Sequence, residues 1–390
     1  MDPELPGKRP LPYGTTGRVM THPVEGANPI GKGTTMQLWT TGVASPRASA
    51  RTAARLEDAG WAGFQVVDSQ NLSGDPYVAL AMAATATTRL GLATGVTNTV
   101  TRHASVTACS IASVQRISGG RAYLGIGRGD SALAHLGRAP TRLGPFERYL
   151  RHLRLYLRGA AVPFEEIDIP TGIAPPMSEL ELADAPPASQ IGWLSTGAPV
   201  VPIEVAASGP RVIAIAALHT DRLMFALGAD TARLAWGIAL AKETRRKAGL
   251  DPDGIAYGAY VNAACHENIG TARDLVRGGL TTFARFNVMH GTAAGPVSDS
   301  DRAVLKELRD SYDMRAHTRG DSRQAGVLTE DFIDRFAIAG PPAHVIARIH
   351  AIAALGLDKI VMTGTRQGMS ETDAAEAERL MEAKVLPAFG

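Results

Sequence analysis

Residues 63–97 read GFQVVDSQNLSGDPYVALAMAATATTRLGLATGVT, and this stretch decides the fold class. Apolar and β-branched residues over 63–67 predict a buried strand. Asp75 and Pro76 are suited to start a helix, which the Ala-rich run up to Thr88 continues. A second apolar segment, from Arg89 to Thr97, predicts another strand. The order strand, helix, strand indicates parallel strands joined by a helical crossover.

The same alternation extends in both directions along the chain. It gives eight strand candidates, which begin near residues 36, 64, 90, 122, 203, 222, 256 and 359. Eight such units close most naturally into a (β/α)8 TIM barrel, an α/β fold of about 250 residues with the surplus in insertions. A doubly wound open sheet is the alternative. Its typical glycine fingerprint is missing from the first strand-to-helix turn, which reads TTGVASP.

Three stretches do not follow the alternation. Residues 1–35 carry Pro and Gly at short intervals and predict an extended N-terminal arm, with a disordered tail as the alternative. Residues 36–390 then form a single barrel with irregular insertions at about 160–200 and 289–330, which we expect to cover its rim. No apolar run is long enough for a signal peptide or a membrane span, so we expect a cytoplasmic protein.

The composition argues against several classes of function. The chain has 40 Lys+Arg and 38 Asp+Glu, a balance that disfavours electrostatic binding of nucleic acid. Cys109 and Cys265 lie far apart in apolar surroundings, which predicts buried thiols rather than a disulfide or a zinc site. No pair of histidines has the helical spacing of a metal site, so we expect no metal.

In a barrel of this kind, the residues that follow the strands lie at one end and build the site. Four successive turns carry small or polar residues there. They are Asp68 after the second strand; Thr94, Gly95, Val96, Thr97 and Asn98 after the third; Gly127, Arg128, Gly129 and Asp130 after the fourth; and Ala206, Ala207, Ser208 and Gly209 after the fifth.

Three strings from these turns, ATGVTNTVTRH, YLGIGRGDSALAHLG and VPIEVAASGPR, resemble the luciferase-like monooxygenase superfamily. The likeness is greatest to its methylenetetrahydromethanopterin reductase-like branch and extends over most of residues 36–386. It implies a TIM barrel that binds coenzyme F420, an 8-hydroxy-5-deazaflavin, or alternatively FMN at the rim. It also implies a homodimer or higher homo-oligomer.

The string AASGP before an apolar helix places Ala206, Ala207, Ser208 and Gly209 at a helix start, where free N–H groups suit a phosphate. A tight turn capped by Ser208 is the alternative. Arg128 is suited to face an anionic tail or substrate, and a solvated loop arginine is the alternative.

The resemblance implies a non-prolyl cis peptide between Gly95 and Val96 that presses against the ring. The alternative is that Gly95 is an ordinary bulge glycine. In that case Thr94 and Asn98 lie at the strand end without binding a cofactor. The glycines Gly127 and Gly129 let the backbone approach a flat ring.

Three residues are candidates for catalysis. The family carries an acid at the position of Asp68, near the ring, although Asp68 also fits as a cap. Asp130 is suited to bond ring or substrate atoms or to act as an acid, with a helix cap as the alternative. His103 is the histidine expected closest to the rim. Ser69 stands where a related sugar-phosphate dehydrogenase has histidine, which disfavours that reaction.

We therefore predict an oxidoreductase that uses coenzyme F420 to transfer hydride to a small organic substrate. The alternative is a two-component monooxygenase, in which a separate flavin reductase supplies FMNH2 and O2 oxidises the substrate. A barrel that has lost its ligand and its catalysis is the third hypothesis.

Overall fold

The computed structural model describes residues 35–45, 47–194, 199–289, 291–363 and 368–390. The predicted arm, except for its last residue, lies outside this part of the chain. Ten strands are found in the described ranges: β1 (Gln37–Val43), β2 (Gly63–Val67), β3 (Gly91–Thr94), β4 (Thr97–Asn98), β5 (Ala122–Gly127), β6 (Ile203–Ala207), β7 (Arg222–Phe225), β8 (Ala256–Cys265), β9 (Ile338–Gly340) and β10 (Lys359–Thr363).

The same ranges contain twelve α-helices: α1 (Ser49–Asp58), α2 (Pro76–Thr85), α3 (Ala104–Ile117), α4 (Ser131–Ala134), α5 (Leu143–Leu157), α6 (Pro210–His219), α7 (Thr231–Lys247), α8 (Ile269–Phe286), α9 (Asp299–Ser311), α10 (Glu330–Phe336), α11 (Pro342–Ala353) and α12 (Glu371–Leu380). None of these helices is both long and apolar enough to cross a membrane. Helix α2 begins as predicted, because the Asp75 carboxylate accepts hydrogen bonds from the backbone N–H groups of Tyr77 and Val78.

Eight parallel strands close into a barrel in the order β1-β2-β3-β5-β6-β7-β8-β10. Strand β10 pairs with β1 on one side and with β8 on the other, which completes the ring. These are the eight predicted strands, so the TIM barrel is confirmed and the open sheet is wrong. The prediction missed β4, which prolongs the line of β3 and pairs with β5, and β9, which pairs with the end of β8.

The amino ends of the strands are closed by a buried charged network. Lys359 Nζ lies 2.8 Å from one Glu204 oxygen, and Arg222 Nη1 lies 2.6 Å from the other. Arg222 also reaches Asp358 at 2.8 Å, and Lys359 Nζ stands 3.3 Å from the ring centroid of Trp39. Because charged side chains fill this end, we expect a ligand site at the carboxyl ends of the strands.

The two predicted insertions differ in structure. Residues 160–194 have two short 3-10 turns and one antiparallel bridge, from Val162 to Ser189, and are mostly exposed. The segment from 289 to 330 is not irregular throughout, because it contains α9, and that expectation was wrong. Ser298 caps α9 by accepting from Asp301 N, and Leu305 and Leu308 bury one face of it.

Candidate active site at the mouth of the barrel

The four predicted turns lie together at the open end of the barrel, which we call the mouth. They follow β2, β3 with β4, β5 and β6, which are neighbours around the barrel wall. The carboxyl ends of parallel strands share one end of the barrel. Asp68, Gly95, Gly127 and Ala206 therefore follow one another around the mouth, as the sequence predicted.

Val96, Gly127 and Ala206 are neighbours at the mouth and form an apolar contact site, which we call the slot. A methyl group built on Gly127 would lie 3.2 Å from Val96 Cγ2 and 3.9 Å from Ala206 Cβ. The peptide bond between Gly95 and Val96 is cis, as the resemblance implied. Gly95, Gly127 and Ala206 keep the side chains around Val96 small.

The carboxyl end of α8 lies across the mouth. Phe283 and Phe286 pack against the same interior cluster as Val96 and Ala206. Their ring centroids are 5.5 Å apart in an edge-on arrangement. The Ser208 hydroxyl donates a hydrogen bond of 3.1 Å to the Phe286 carbonyl, which ties α8 to the turn after β6.

Asp68 is buried and bound on several sides. Its Oδ2 atom lies 2.6 Å from Arg102 Nη1 and accepts a 2.6 Å hydrogen bond from Thr97 Oγ1, and Gln70 donates to its other oxygen. Arg102 also pairs with Asp75, at 2.7 Å. With 1% of its side chain exposed, Asp68 is placed to hold the turn after β4 in position.

Thr94 and Asn98 also make bonds within the wall. Thr94 Oγ1 donates to the Gly125 carbonyl at 2.7 Å. Asn98 Oδ1 accepts from the N–H groups of Val100 and Thr101, each at 3.0 Å. Both side chains are almost fully buried. This arrangement favours the alternative, in which the two residues stabilise the end of the strand.

Asp130 occupies the N-cap position of α4, but its side chain makes no capping hydrogen bond. Its carboxylate instead forms an ion pair with Arg285 from α8. The capping alternative is therefore wrong. With 17% of its side chain exposed, Asp130 is more accessible at the mouth than Asp68.

His103 directly follows Arg102, the ion-pair partner of Asp68. It caps α3, where Nδ1 accepts from Ser105 N at 3.3 Å. Burial and the neighbouring His152 lower the pKa of its imidazole. His103 lines a cavity of about 260 Å³ between the turn after β4, α5 and the segment near Asp168. The described lining of this cavity includes Arg102 and Thr141 and none of the three slot residues.

The start of α6 has the properties of an anion site. Gly209 is its N-cap, the helix has no side-chain cap, and a methyl group built on Gly209 meets no atom within 4 Å. Arg211 is the second residue of α6, and burial together with the charge of Arg211 lowers the pKa of Arg128. Arg128 also donates to the Thr141 carbonyl at 2.6 Å. A helix start with positive charge beside it favours a phosphate.

The residues that α8 and the following segment bring to the mouth were not predicted from the sequence. Arg285 stands over the ring of Tyr312, 4.6 Å from its centroid, and the Tyr312 hydroxyl lies 2.8 Å from His317 Nδ1. Burial lowers the pKa of His317, which Asp130 and Arg285 also influence. No local motif marks these residues, because only the tertiary fold brings them next to β5.

Comparison with known proteins relates this chain to one family. The family model described as luciferase-like monooxygenase matches residues 26–359. A 5,10-methylenetetrahydromethanopterin reductase of Methanolobus tindarius is 26% identical over 309 residues, which cover 78% of this chain and 86% of that protein.

Two solved structures share the fold. The coenzyme F420-dependent tetrahydromethanopterin reductase of Methanopyrus kandleri has a TM-score of 0.68 and 20% identity, and the match covers 91% of this chain and 100% of that one. A monooxygenase of Streptomyces bottropensis has a TM-score of 0.60 and 19% identity, with coverage of 91% and 100%. At these identities the likeness supports the TIM barrel and not a particular reaction.

Proposed function

This chain belongs to the luciferase-like monooxygenase family, and we propose that it transfers hydride from reduced coenzyme F420 to a small organic substrate. It is an oxidoreductase that depends on a flavin or a deazaflavin. One observation carries the finer proposal. Ala206, one of the three residues of the apolar slot, lies three residues before Gly209, the N-cap of the uncapped helix α6.

The residues of the mouth fit a tricyclic ring with a phosphate on its tail. The slot offers apolar contact and no bulky side chain beside Gly127. Three residues after Ala206, Gly209 is the N-cap of α6, and a methyl group built on it would meet no atom within 4 Å. Backbone N–H groups at such a helix start suit a phosphate. Arg128 and Arg211 add positive charge there.

Reduced F420, when bound, supplies a hydride. The chain then has to orient the reactants and exclude water. Phe283 and Phe286 lie across the mouth and are placed to shield the slot. Among the three candidate catalytic residues, Asp130 is the one that stands partly exposed at the mouth, so we assign it the polar contact to ring or substrate.

The preference for F420 over FMN rests on the relatives. Three of them are named as 5,10-methylenetetrahydromethanopterin reductases, at 26%, 25% and 27% identity. One protein with a similar structure is named as a coenzyme F420-dependent reductase. FMN remains the alternative cofactor, because its ring has the same flat shape and its tail also carries a phosphate.

Fluorescence titration of the purified protein with F420 and with FMN tests this proposal. We expect F420 to bind more tightly, and reduced F420 to be oxidised without oxygen uptake when an acceptor is present. Tight binding of FMN alone, with substrate-dependent oxygen uptake and a flavin reductase as partner, would overturn the proposal. Binding of neither ring would indicate a barrel without a redox ligand.

A matched pair of variants tests the slot. Gly127→Ala places a methyl group 3.2 Å from Val96, where it narrows the slot. We expect this variant to bind the ring at least tenfold more weakly, or about 1.4 kcal/mol. The control is Gly144→Ala on α5, where the added methyl group meets no atom within 4 Å. This variant should bind the ring as tightly as the wild type does.

We also propose that the protein forms a homo-oligomer through α2 and α3. Val78 and Met82 lie one turn apart on α2 and are 51% and 44% exposed, and Val106 on the adjacent α3 is 50% exposed. Apolar side chains grouped on neighbouring helices favour burial against a second copy. Light scattering should give a dimer or larger, and Val78→Glu with Met82→Glu should give a smaller species.

A further inference from the structure

Polar groups inside the barrel stand without hydrogen-bond partners. Thr41 Oγ1, both polar atoms of Gln65 and the hydroxyl of Tyr260 are buried and unpaired within the described residues. Gln65 is 0% exposed and Tyr260 is 4% exposed. Buried polar groups in proteins are nearly always paired, and an unpaired one lowers stability. Such groups mark a place where a ligand or water completes the bonding.

These groups lie close to the residues of the slot. A methyl group built on Gly95 would stand 2.7 Å from Gln65 Oε1, so the Gln65 side chain fills the space under this residue. Thr41 is the register partner of Gln65 on β1. Tyr260 belongs to the interior cluster against which Val96 packs, and its ring centroid lies 5.9 Å from that of Phe283.

The chemistry at this position favours a hydrogen-bond acceptor. Burial raises the pKa of Tyr260, so its hydroxyl keeps its proton and donates. The amide nitrogen of Gln65 is a second donor. The carboxamide is near enough to affect the pKa of Tyr260, yet neither group has an aligned hydrogen bond. Ala93 and Val361, the register partners of Gln65 and Tyr260 on the adjacent strands, have no polar side-chain atoms.

We propose that Gln65 and Tyr260 donate hydrogen bonds to a carbonyl oxygen of the bound redox ring. The inference rests on the proposed function, since it takes the occupant of the slot to be F420 or FMN. Both rings carry carbonyl groups on their pyrimidine portion, and a carbonyl oxygen accepts two hydrogen bonds. Two donors close to an apolar slot fix how deep the ring enters and which edge enters first.

Strand β8 offers a matched control. The hydroxyl of Tyr257 is also buried and unpaired. Tyr257 and Tyr260 are three residues apart, so they face opposite sides of the strand. Tyr257 stacks on Phe225 at 5.9 Å and belongs to the main core rather than the interior cluster. Tyr257→Phe therefore removes the same atom from the same strand outside the barrel interior.

The experiment compares the wild type with Tyr260→Phe, Gln65→Leu and Tyr257→Phe. F420 and FMN are titrated into each protein, the absorption spectrum of the bound ring is recorded, and thermal unfolding is measured without ligand. We expect Tyr260→Phe and Gln65→Leu each to raise the dissociation constant about three- to tenfold, the effect of one neutral hydrogen bond. Both should shift the absorption of the bound ring, whereas Tyr257→Phe should change neither quantity.

Without ligand, Tyr260→Phe should melt at or above the wild-type temperature, because it removes an unpaired buried group. Wild-type affinity and an unshifted spectrum in both Tyr260→Phe and Gln65→Leu would overturn this inference and leave the proposed function standing. A wild type that binds neither ring would overturn the proposed function, and this inference with it.

Discussion

Arg285, at the end of α8, forms an ion pair with Asp130, which follows β5, although 155 residues separate them in the chain. Both side chains are mostly buried, at 14% and 17% exposure. The pair joins the segment after β8 to the glycine-rich turn after β5. It therefore holds α8 across the mouth.

Arg285→Leu should destabilise the protein and loosen its mouth. The change leaves the Asp130 carboxylate partly buried without its partner. We expect the free energy of unfolding to fall by about 1–3 kcal/mol, less than for a fully buried pair because solvent screens part of the interaction. Urea unfolding measures this loss, and stopped-flow dissociation should show faster release of the bound ring. The double variant Arg285→Leu with Asp130→Asn should lose less free energy of unfolding than the sum of the losses in the two single variants.

Gly209→Asp should weaken cofactor binding while it stabilises α6. An aspartate at the N-cap supplies the capping bond that the helix lacks, and it places a negative charge where we propose the phosphate. We expect at least tenfold weaker binding of F420 or FMN, or about 1.4 kcal/mol, with unchanged or slightly raised stability. Gly209→Asn provides the cap without the charge. Equal loss of affinity in both variants would exclude a charge effect and remove the phosphate from this turn.

His103→Asn separates capping from catalysis. Asparagine caps helices well, so the variant should keep its stability, whereas His103→Ala should lose about 1 kcal/mol. If His103 acts only as a cap, turnover by His103→Asn should stay within about twofold of the wild type. A general acid or base would instead cost about a hundredfold or more. Steady-state kinetics of the two variants decides between these roles.

The stability of the folded state should depend on pH through the carboxylate of Glu57. This carboxylate accepts from the N–H groups of Thr88, Arg89 and Leu90, the last two at 2.6 Å, just before β3. Burial alone would raise the pKa of Glu57, but these bonds outweigh it and lower the pKa from 4.5 to about 2. The folded state therefore binds the proton more weakly than the unfolded chain. Its stabilisation is complete above pH 4.5 and is lost as the pH falls towards 2.

Glu57→Gln tests this response. Because solvent screens much of the effect, we expect a loss of about 1–2 kcal/mol at pH 7. The difference from the wild type should shrink as the pH falls from 4.5 to about 2 in denaturant titrations. A gap of constant size across this range would show that the charge of Glu57 makes no contribution.

The barrel could be predicted because its signals are local. Each strand is a short apolar run, and the strands' order fixes which turns share the mouth. Asp68, Gly95, Gly127 and Ala206 came together for that reason. Helix α9 was missed because its apolar positions, Leu305 and Leu308, follow a stretch rich in Gly and Pro that is typical of a loop.

Side-chain roles were harder to predict than positions. Asp68 and Asp130 are both acids after barrel strands, yet one is held by Arg102 and the other by Arg285. Neither arginine has a sequence signal that links it to its partner. Gln65 and Tyr260 likewise read as ordinary strand residues until closure of the barrel places them in one interior.

The charged network at the closed end has a consequence for biosynthesis. Lys359 stands on the last barrel strand and neutralises Glu204, which is made 155 residues earlier. While the ribosome still holds β10, the nascent chain has only Arg222 to offset the Glu204 charge, and the wall between β1 and β8 is open. An open wall exposes the apolar interior of the barrel to water, so a chain that stops before β10 should be a substrate for chaperones and proteases rather than a stable half-barrel.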